Sequence, residues 1–173
     1  MENIYVERVR ANVKRQALYC DMLGSARWVG ELAQRYPARE ITPLTPWFAN
    51  ISIHDVEITG CSTLVDVSAL PEKPVKNFFF GNVKAHCDRI GKICDATKFS
   101  MKDVRIESCD TVMRIDNCDY ASFFGFSNVT TGSSVKIEKT GGECRYLNVQ
   151  TYPLVPVNYQ SIRPGEVWLD TEG

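Results

Sequence analysis

Ile51-Ser-Ile53-His-Asp55-Val56 returns as Phe78-Phe-Phe80-Gly-Asn82-Val83 and again as Phe99-Ser-Met101-Lys-Asp103-Val104. A fourth copy reads Phe124-Gly-Phe126-Ser-Asn128-Val129, and Cys144-Arg-Tyr146-Leu-Asn148-Val149 is a looser fifth. Near the start of the sequence, Ile4-Tyr-Val6-Glu-Arg8-Val9 fits except that Arg8 stands where the others carry Asn or Asp. From Ile51 onward the copies follow one another at 27, 21, 25 and 20 residues. The shared form is apolar, any, apolar, any, Asn or Asp, then Val. A repeat of this length is the mark of a solenoid, in which no single unit can bury its apolar face without its neighbours.

Each copy precedes a second alternating stretch: Ala17–Cys20, Leu64–Val67, Ile90–Ile93, Val112–Ile115 and Val135–Ile137. Period-two alternation rich in Val, Ile and Phe predicts short strands with one buried face. The recurrent Asn or Asp suits a corner, because a short polar side chain tolerates left-handed backbone and bonds nearby main chain. The spacing is not that of leucine-rich repeats, and the strict six-residue period of left-handed hexapeptide coils is absent. These features predict an all-β chain, a right-handed parallel β-helix of about six coils. At about 4.8 Å per strand such a column stands roughly 29 Å tall. All of residues 1–173 then form one domain. An insertion at 22–47 separates the first two coils, and 152–173, with Pro153, Pro156 and Pro164, forms a C-terminal cap. Within the insertion Ser25 predicts a helix cap, with Trp28, Val29, Leu32 and Tyr36 on one face and Pro37 ending the helix. Such an insertion either borders a binding surface or covers apolar side chains as a lid.

Composition narrows the function classes. Lys and Arg number 20 against 21 Asp and Glu, a net charge of −1, which excludes a basic footprint for duplex nucleic acid. Apolar runs fall short of the ~20 residues a bilayer-spanning helix needs, so no membrane partner is expected, and no leader resembling a secretion signal is visible. The seven cysteines, at 20, 61, 87, 94, 109, 118 and 144, contain no CxxC, and there are two histidines. Neither zinc-cage spacing nor a His-rich metal site follows. The thiols read as small apolar side chains, with Cys61, Cys87 and Cys109 stacked in one corner. No cofactor is implied: G-x-G-x-x-G, the P-loop and G-x-S-x-G are all missing. Asn50-Ile-Ser52 and Asn128-Val-Thr130 match the glycosylation pattern but lie within the repeat, where they read as coincidental.

Several stretches also resemble the C-terminal part of glycoside hydrolase family 28, the polygalacturonase-type enzymes of pectin breakdown. They are Glu2-Asn-Ile-Tyr-Val-Glu-Arg8, Gln16-Ala-Leu-Tyr-Cys-Asp-Met22, Thr45-Pro-Trp-Phe-Ala-Asn-Ile51 and Leu70-Pro-Glu-Lys-Pro-Val-Lys-Asn77. The resemblance implies inverting hydrolysis of an α-linked galacturonan by two carboxyl groups about 6.5–9.5 Å apart. The family's N-T-D, G-D-D, G-H-G and R-I-K motifs are nonetheless absent, and Arg114-Ile-Asp116 carries the wrong sign at its third position. This implies no catalytic residue in the chain, with the catalytic coils upstream of it, and a periplasmic or extracellular place for the longer protein.

The family's cleft runs along the strand after the Asn/Asp corner. Carried over, it points to Gln16, Tyr19, Asp21, Asp66, Lys92 and Arg114 as contacts for a pectic polysaccharide, with Trp28 and Trp47 as a stacking platform. Gln16 stands where many members carry Tyr. Lys92, Arg114 and Lys136 would attract an acidic sugar chain, and Asp21, Asp66, Asp116 and Glu138 would oppose them. The competing reading of so mixed a row is a solvated outer face, and that of the tryptophans is packing within the insertion. The non-catalytic alternative is a carbohydrate-binding or structural β-helix that self-associates through an uncapped first coil.

Overall fold

Residues tolerant of left-handed backbone set the corners of this chain, and alternating apolar residues fill the strands between them. The structure, a computed structural model, describes residues 1–35 and 37–150 and the backbone of 167–168. Its strands are β1 (Glu2–Asn12), β2 (Gln16–Asp21), β3 (Ala49–Ser68), β4 (Val75–Glu107), β5 (Val112–Asp119), β6 (Ala121–Asn128), β7 (Ser133–Ser134), β8 (Lys136–Gly141), β9 (Leu147–Gln150) and β10 (Val167–Trp168). With 67% strand and almost no helix, the chain is an all-β parallel solenoid of about four turns. Pairing from turn to turn is parallel throughout, from β1 and β2 on β3 to β6 on β9. The expected six coils are not reached. Six copies of the repeat bound five steps, and the first step is interrupted by the excursion after β2. The expected cap over 152–173 lies outside the described residues apart from β10, which pairs antiparallel with Ile137 and Glu138 of β8.

Three columns of positive φ mark the corners. Arg8, Asp55, Asn82, Asp103 and Gly125 form one, with φ between 47° and 62°. Asn3, Asn50, Asn77, Lys98 and Tyr120 form a second, and Asp95, Asn117 and Gly142 a third. Left-handed backbone costs most L-residues roughly 1–2 kcal/mol, less for Asn and Asp. Stacking offsets that cost where side chains bond along the column: Asn77 Nδ2 donates to Asn50 Oδ1 (2.8 Å), and Asn50 Nδ2 donates to Asn3 Oδ1 (3.0 Å). Gly142 ends the third column where a Cβ would come within 2.5 Å of Asn117 Cβ.

These columns correct the register of the last two copies. Met101 lies on Phe123 and Val104 on Phe126, so the fourth copy is Ala121-Ser-Phe123-Phe-Gly125-Phe126, three residues earlier than its Asn suggested. Ala121 lies on Leu147 and Phe123 on Val149, which moves the fifth copy three residues later. Glycine can fill a left-handed corner as well as Asn, which hid the true alignment. Asn128 is instead fully buried, its Nδ2 donating to the carbonyls of Ser108 and Asp110 at 2.9 Å each. That amide is committed inside the protein and the Asn50 amide to the ladder, so neither sequon presents a free acceptor.

Inside, like stacks on like. Cys20, Val67, Ile93 and Ile115 follow one another in register, and Phe78 stacks on Phe99 with ring centroids 5.0 Å apart. Burying each such side chain contributes about 1.5–3 kcal/mol. Cys61 lies on Cys87 as expected, but the third place goes to buried Ser108 while Cys109 is exposed. Ser108 Oγ donates to the Asp88 carbonyl at 3.2 Å, so the column is not all sulfur.

The 22–47 insertion also departs from expectation. Ser25 does cap a helix, its Oγ accepting from the Arg27 amide (3.3 Å), but that helix, α1 (Ala26–Val29), is a single turn with no buried residue. Gly30, at φ +59°, diverts the chain into a 3-10 turn over Gly30–Ala33, and Trp28 and Val29 of the expected face stay exposed. Tyr36 and the Leu32 side chain lie outside the described residues.

Candidate functional site

Equal positions superpose in a parallel stack, so outward residues of the second stretch form a ladder across the turns. Tyr19 lies beside Asp66, Asp66 beside Lys92, Lys92 beside Arg114 and Arg114 beside Glu138. A second row, two residues on, runs Asp21, Ser68, Cys94 and Asp116. Of the predicted contacts, Gln16, Asp66, Lys92 and Arg114 line one shallow groove of about 220 Å³, together with Thr63 and Arg89. Gln16 Nε2 donates to Asp66 Oδ2 at 3.4 Å, and Arg114 Nε pairs with Glu138 Oε2 at 3.3 Å. Tyr19, 59% exposed, donates its hydroxyl to Asp21 Oδ2 (2.8 Å), and that bond raises the pKa of the phenol. The ladder therefore offers an exposed ring, two cations and two carboxylates in fixed order.

Arg89 is the member that alternation alone misplaces. Arg89 and Lys92 are three apart, so a regular strand would send them to opposite faces. Gly91 breaks the parity: with φ +109° it lets Ile90 and Ile93 both turn inward, 0% and 1% exposed. Arg89 and Lys92 then both face out. A glycine inside a strand pattern is a signal of such a bulge and marks the place where the reading could have been corrected.

The excursion borders this face through one anchor. Arg35 donates from Nε and Nη2 to the two oxygens of Asp95 at 2.6 and 2.8 Å, and its Nη2 lies 3.8 Å from Asp116. Asp95 is wholly buried and also accepts from Asn117 Nδ2 at 2.5 Å. That carboxylate raises the pKa of Arg35 further above its already high value. The tryptophans are held elsewhere. Trp28 is 79% exposed with the Arg27 guanidinium 5.2 Å from its ring, and half-buried Trp47 has Lys73 Nζ at 5.5 Å. No ring contact joins the two tryptophans, or either one to Tyr19, among the described residues.

One group has metal-ligand chemistry. Glu7, His54 and Asp55 hold ligand atoms within 4.8 Å of one another. The two ring nitrogens of His54 face different partners, Nδ1 to Asp55 Oδ2 (2.8 Å) and Nε2 to the Tyr5 hydroxyl (2.6 Å). Hydrogen bonds from Asn82 and His54 hold the Asp55 carboxyl below its ordinary range. The arrangement is a hydrogen-bonded strap between the first two turns.

A hollow of about 700 Å³ lies off the ladder, on the strands after the Asp55/Asn82/Asp103 corner. Comparison with protein-family models, with curated proteins and with solved structures finds no match to this chain.

Proposed function

We propose that this chain is the C-terminal β-helix segment of a polygalacturonase-like glycoside hydrolase, wound right-handed, binding a pectic chain along the ladder without cleaving it. The in-register row Tyr19, Asp66, Lys92, Arg114 and Glu138 carries the reading, because it sets two adjacent cations in line with an exposed aromatic ring, with Asp66 between ring and cations. Uronate carboxylates would meet Lys92 and Arg114, a pyranose face would rest on Tyr19, and Gln16 and Arg89 would reach ring hydroxyls from the groove wall. Trp28 adds a second exposed ring on the excursion that Arg35 fastens beside the row. None of the carboxylates lies in the N-T-D or G-D-D context of the resembled family, so hydrolysis is assigned to coils upstream.

Titration with oligogalacturonides by calorimetry at low ionic strength tests this. The expected result is binding that weakens with salt, falls about tenfold in Lys92→Gln and Arg114→Gln, and releases no new reducing ends. Binding unchanged in both variants would overturn it.

A second reading rests on the open edge of the first turn. Among the described residues β1 and β2 pair on one side only, with β3, and Ile4, Val9, Ala11, Val13, Ala17 and Leu18 are only partly buried at that end. Such an edge favours strand addition, so the first turn would self-associate. Sedimentation as a monomer at micromolar concentration would refute it.

A further inference from the structure

The strands after the Asp55/Asn82/Asp103 corner share the middle of the ladder's charge order, a carboxylate followed by two cations, but differ at both ends and in pairing. Outward residues there run Arg10, Glu57 and Lys84 in register, with Arg105 one turn on. On the ladder Arg114 pairs with Glu138, and Lys92 stands beside Asp66, whose carboxylate takes only a long 3.4 Å hydrogen bond from Gln16. On this second face Glu57 is taken by Arg10, at 2.8 Å from Nε and 2.7 Å from Nη2. His86 likewise takes Glu107, at 3.4 Å. Lys84 and Arg105 are left adjacent and exposed, with no ion pair among the described residues. Ser127, the next residue in the row, brings no charge.

Like charges on neighbouring strands repel. Here they do so at the rim of the 700 Å³ hollow, which both line. Two smaller hollows continue it and share its residues, one with Lys84 and Asn82 and the other with Lys84 and Arg105. Gly125 and Ser127 also line the hollow, as does Asp103, whose carboxylate is the acidic group on its wall. An oxyanion seated between the two cations would relieve the repulsion and gain two charge-assisted hydrogen bonds, one from the forked guanidinium.

From this geometry we propose that Lys84 and Arg105 form an oxyanion site, separate from the ladder, for a ligand bearing sulfate, phosphate or carboxylate groups. The site needs no pectin binding and stands if the ladder reading fails.

Thermal unfolding in a phosphate-free buffer, with sodium sulfate compared against sodium chloride at matched ionic strength, tests it. Sulfate stabilises proteins generally by exclusion, so the deciding quantity is the excess rise in Tm of the natural protein over its variants. The excess is expected to vanish in Lys84→Gln and Arg105→Gln and to persist in Lys92→Gln. Without sulfate, Lys84→Gln and Arg105→Gln are expected to melt no lower than the natural protein, because each removes a like-charge contact. Amide shifts at 84 and 105 should saturate with sulfate, phosphate or trigalacturonate, whichever anion fits. An equal response to sulfate in all four proteins, or no saturating shift with any of the three anions, would overturn the proposal.

Discussion

Replacing Gly91 with alanine should unseat the second and third turns from each other. A Cβ on Gly91 would stand 1.9 Å from the Val65 carbonyl oxygen and 2.8 Å from Thr63 Cγ2, against ordinary contacts of 3.4–4 Å. The obstacle is main chain, so it cannot swing away, and β4 would have to move by more than 1 Å from β3. That movement loosens one or two ladder hydrogen bonds, worth about 1 kcal/mol each. It also strains packing by about 1–3 kcal/mol and leaves alanine at φ +109°, a further cost of about 1–2 kcal/mol. The expected loss is about 4 kcal/mol, or a fall of about 1.3–2 M in the urea midpoint at an m-value of about 2–3 kcal/mol/M. Gly30→Ala is the matched control: nothing lies within 4 Å of its Cβ position, so only the dihedral cost remains, about 1–3 kcal/mol at φ +59° and ψ −132°. Far-UV circular dichroism in urea measures both. A Gly91→Ala midpoint no lower than that of Gly30→Ala would refute the register of β3 on β4 and with it the bulge that turns Arg89 outward.

Gly125→Asn should cost less than about 1 kcal/mol in the same assay, since Asn accepts left-handed backbone and can bond to Asp103. Asn128→Ala should lose about 2–3 kcal/mol by stripping two buried carbonyls of their donor; the reverse ranking would restore the register with Asn128 at the corner. Arg35→Ala leaves Asp95 buried and uncompensated. A loss of about 2–4 kcal/mol is expected, discounted because Arg35 stays 37% exposed, together with faster tryptic cleavage at Arg27 and Arg39. Unchanged stability and cleavage would refute the anchor. Thiol labelling at pH 7.5 should show Cys109 reacting first, because burial pushes Cys20 and Cys144 up to about 11 and Cys94 up to about 12. A fast phase that survives Cys109→Ser would contradict this.

The solenoid was legible because its physics is local: alternation writes the strands, and Asn or Asp at one spacing writes a corner. The same signal misled where glycine replaced Asn. Gly125 and Asn128 are three residues apart and both precede apolar residues, so the sequence favours the Asn, although the stack needs only tolerance of positive φ. The second corner column is hidden because its last two residues, Lys98 and Tyr120, have no turn chemistry, although both take positive φ. The excursion was misread for a related reason. Helical spacing of Trp28, Val29 and Leu32 implies an apolar face, but a face makes a helix only when something covers it. Here Gly30 breaks the pattern, and Arg35 fastens the stretch to Asp95, 60 residues away.

The ladder could be read from sequence because a parallel stack turns equal positions in the repeat into neighbours. Order of charge follows from position alone; pairing does not. Arg10, Glu57, Lys84 and Arg105 on one face, and Tyr19, Asp66, Lys92 and Arg114 on the other, differ in the first residue of each row. A cation there draws Glu57 away from Lys84, whereas Tyr19 turns its hydroxyl to Asp21 and leaves Asp66 beside Lys92. Exchanging those first residues should therefore exchange the behaviour of the faces. Arg10→Tyr would return Glu57 to Lys84 and weaken the sulfate response, and Tyr19→Arg would free Lys92 and strengthen binding of uronates at the ladder. If both variants respond to anions as the natural protein does, anion recognition is not set by which cation the carboxylate in each row pairs with.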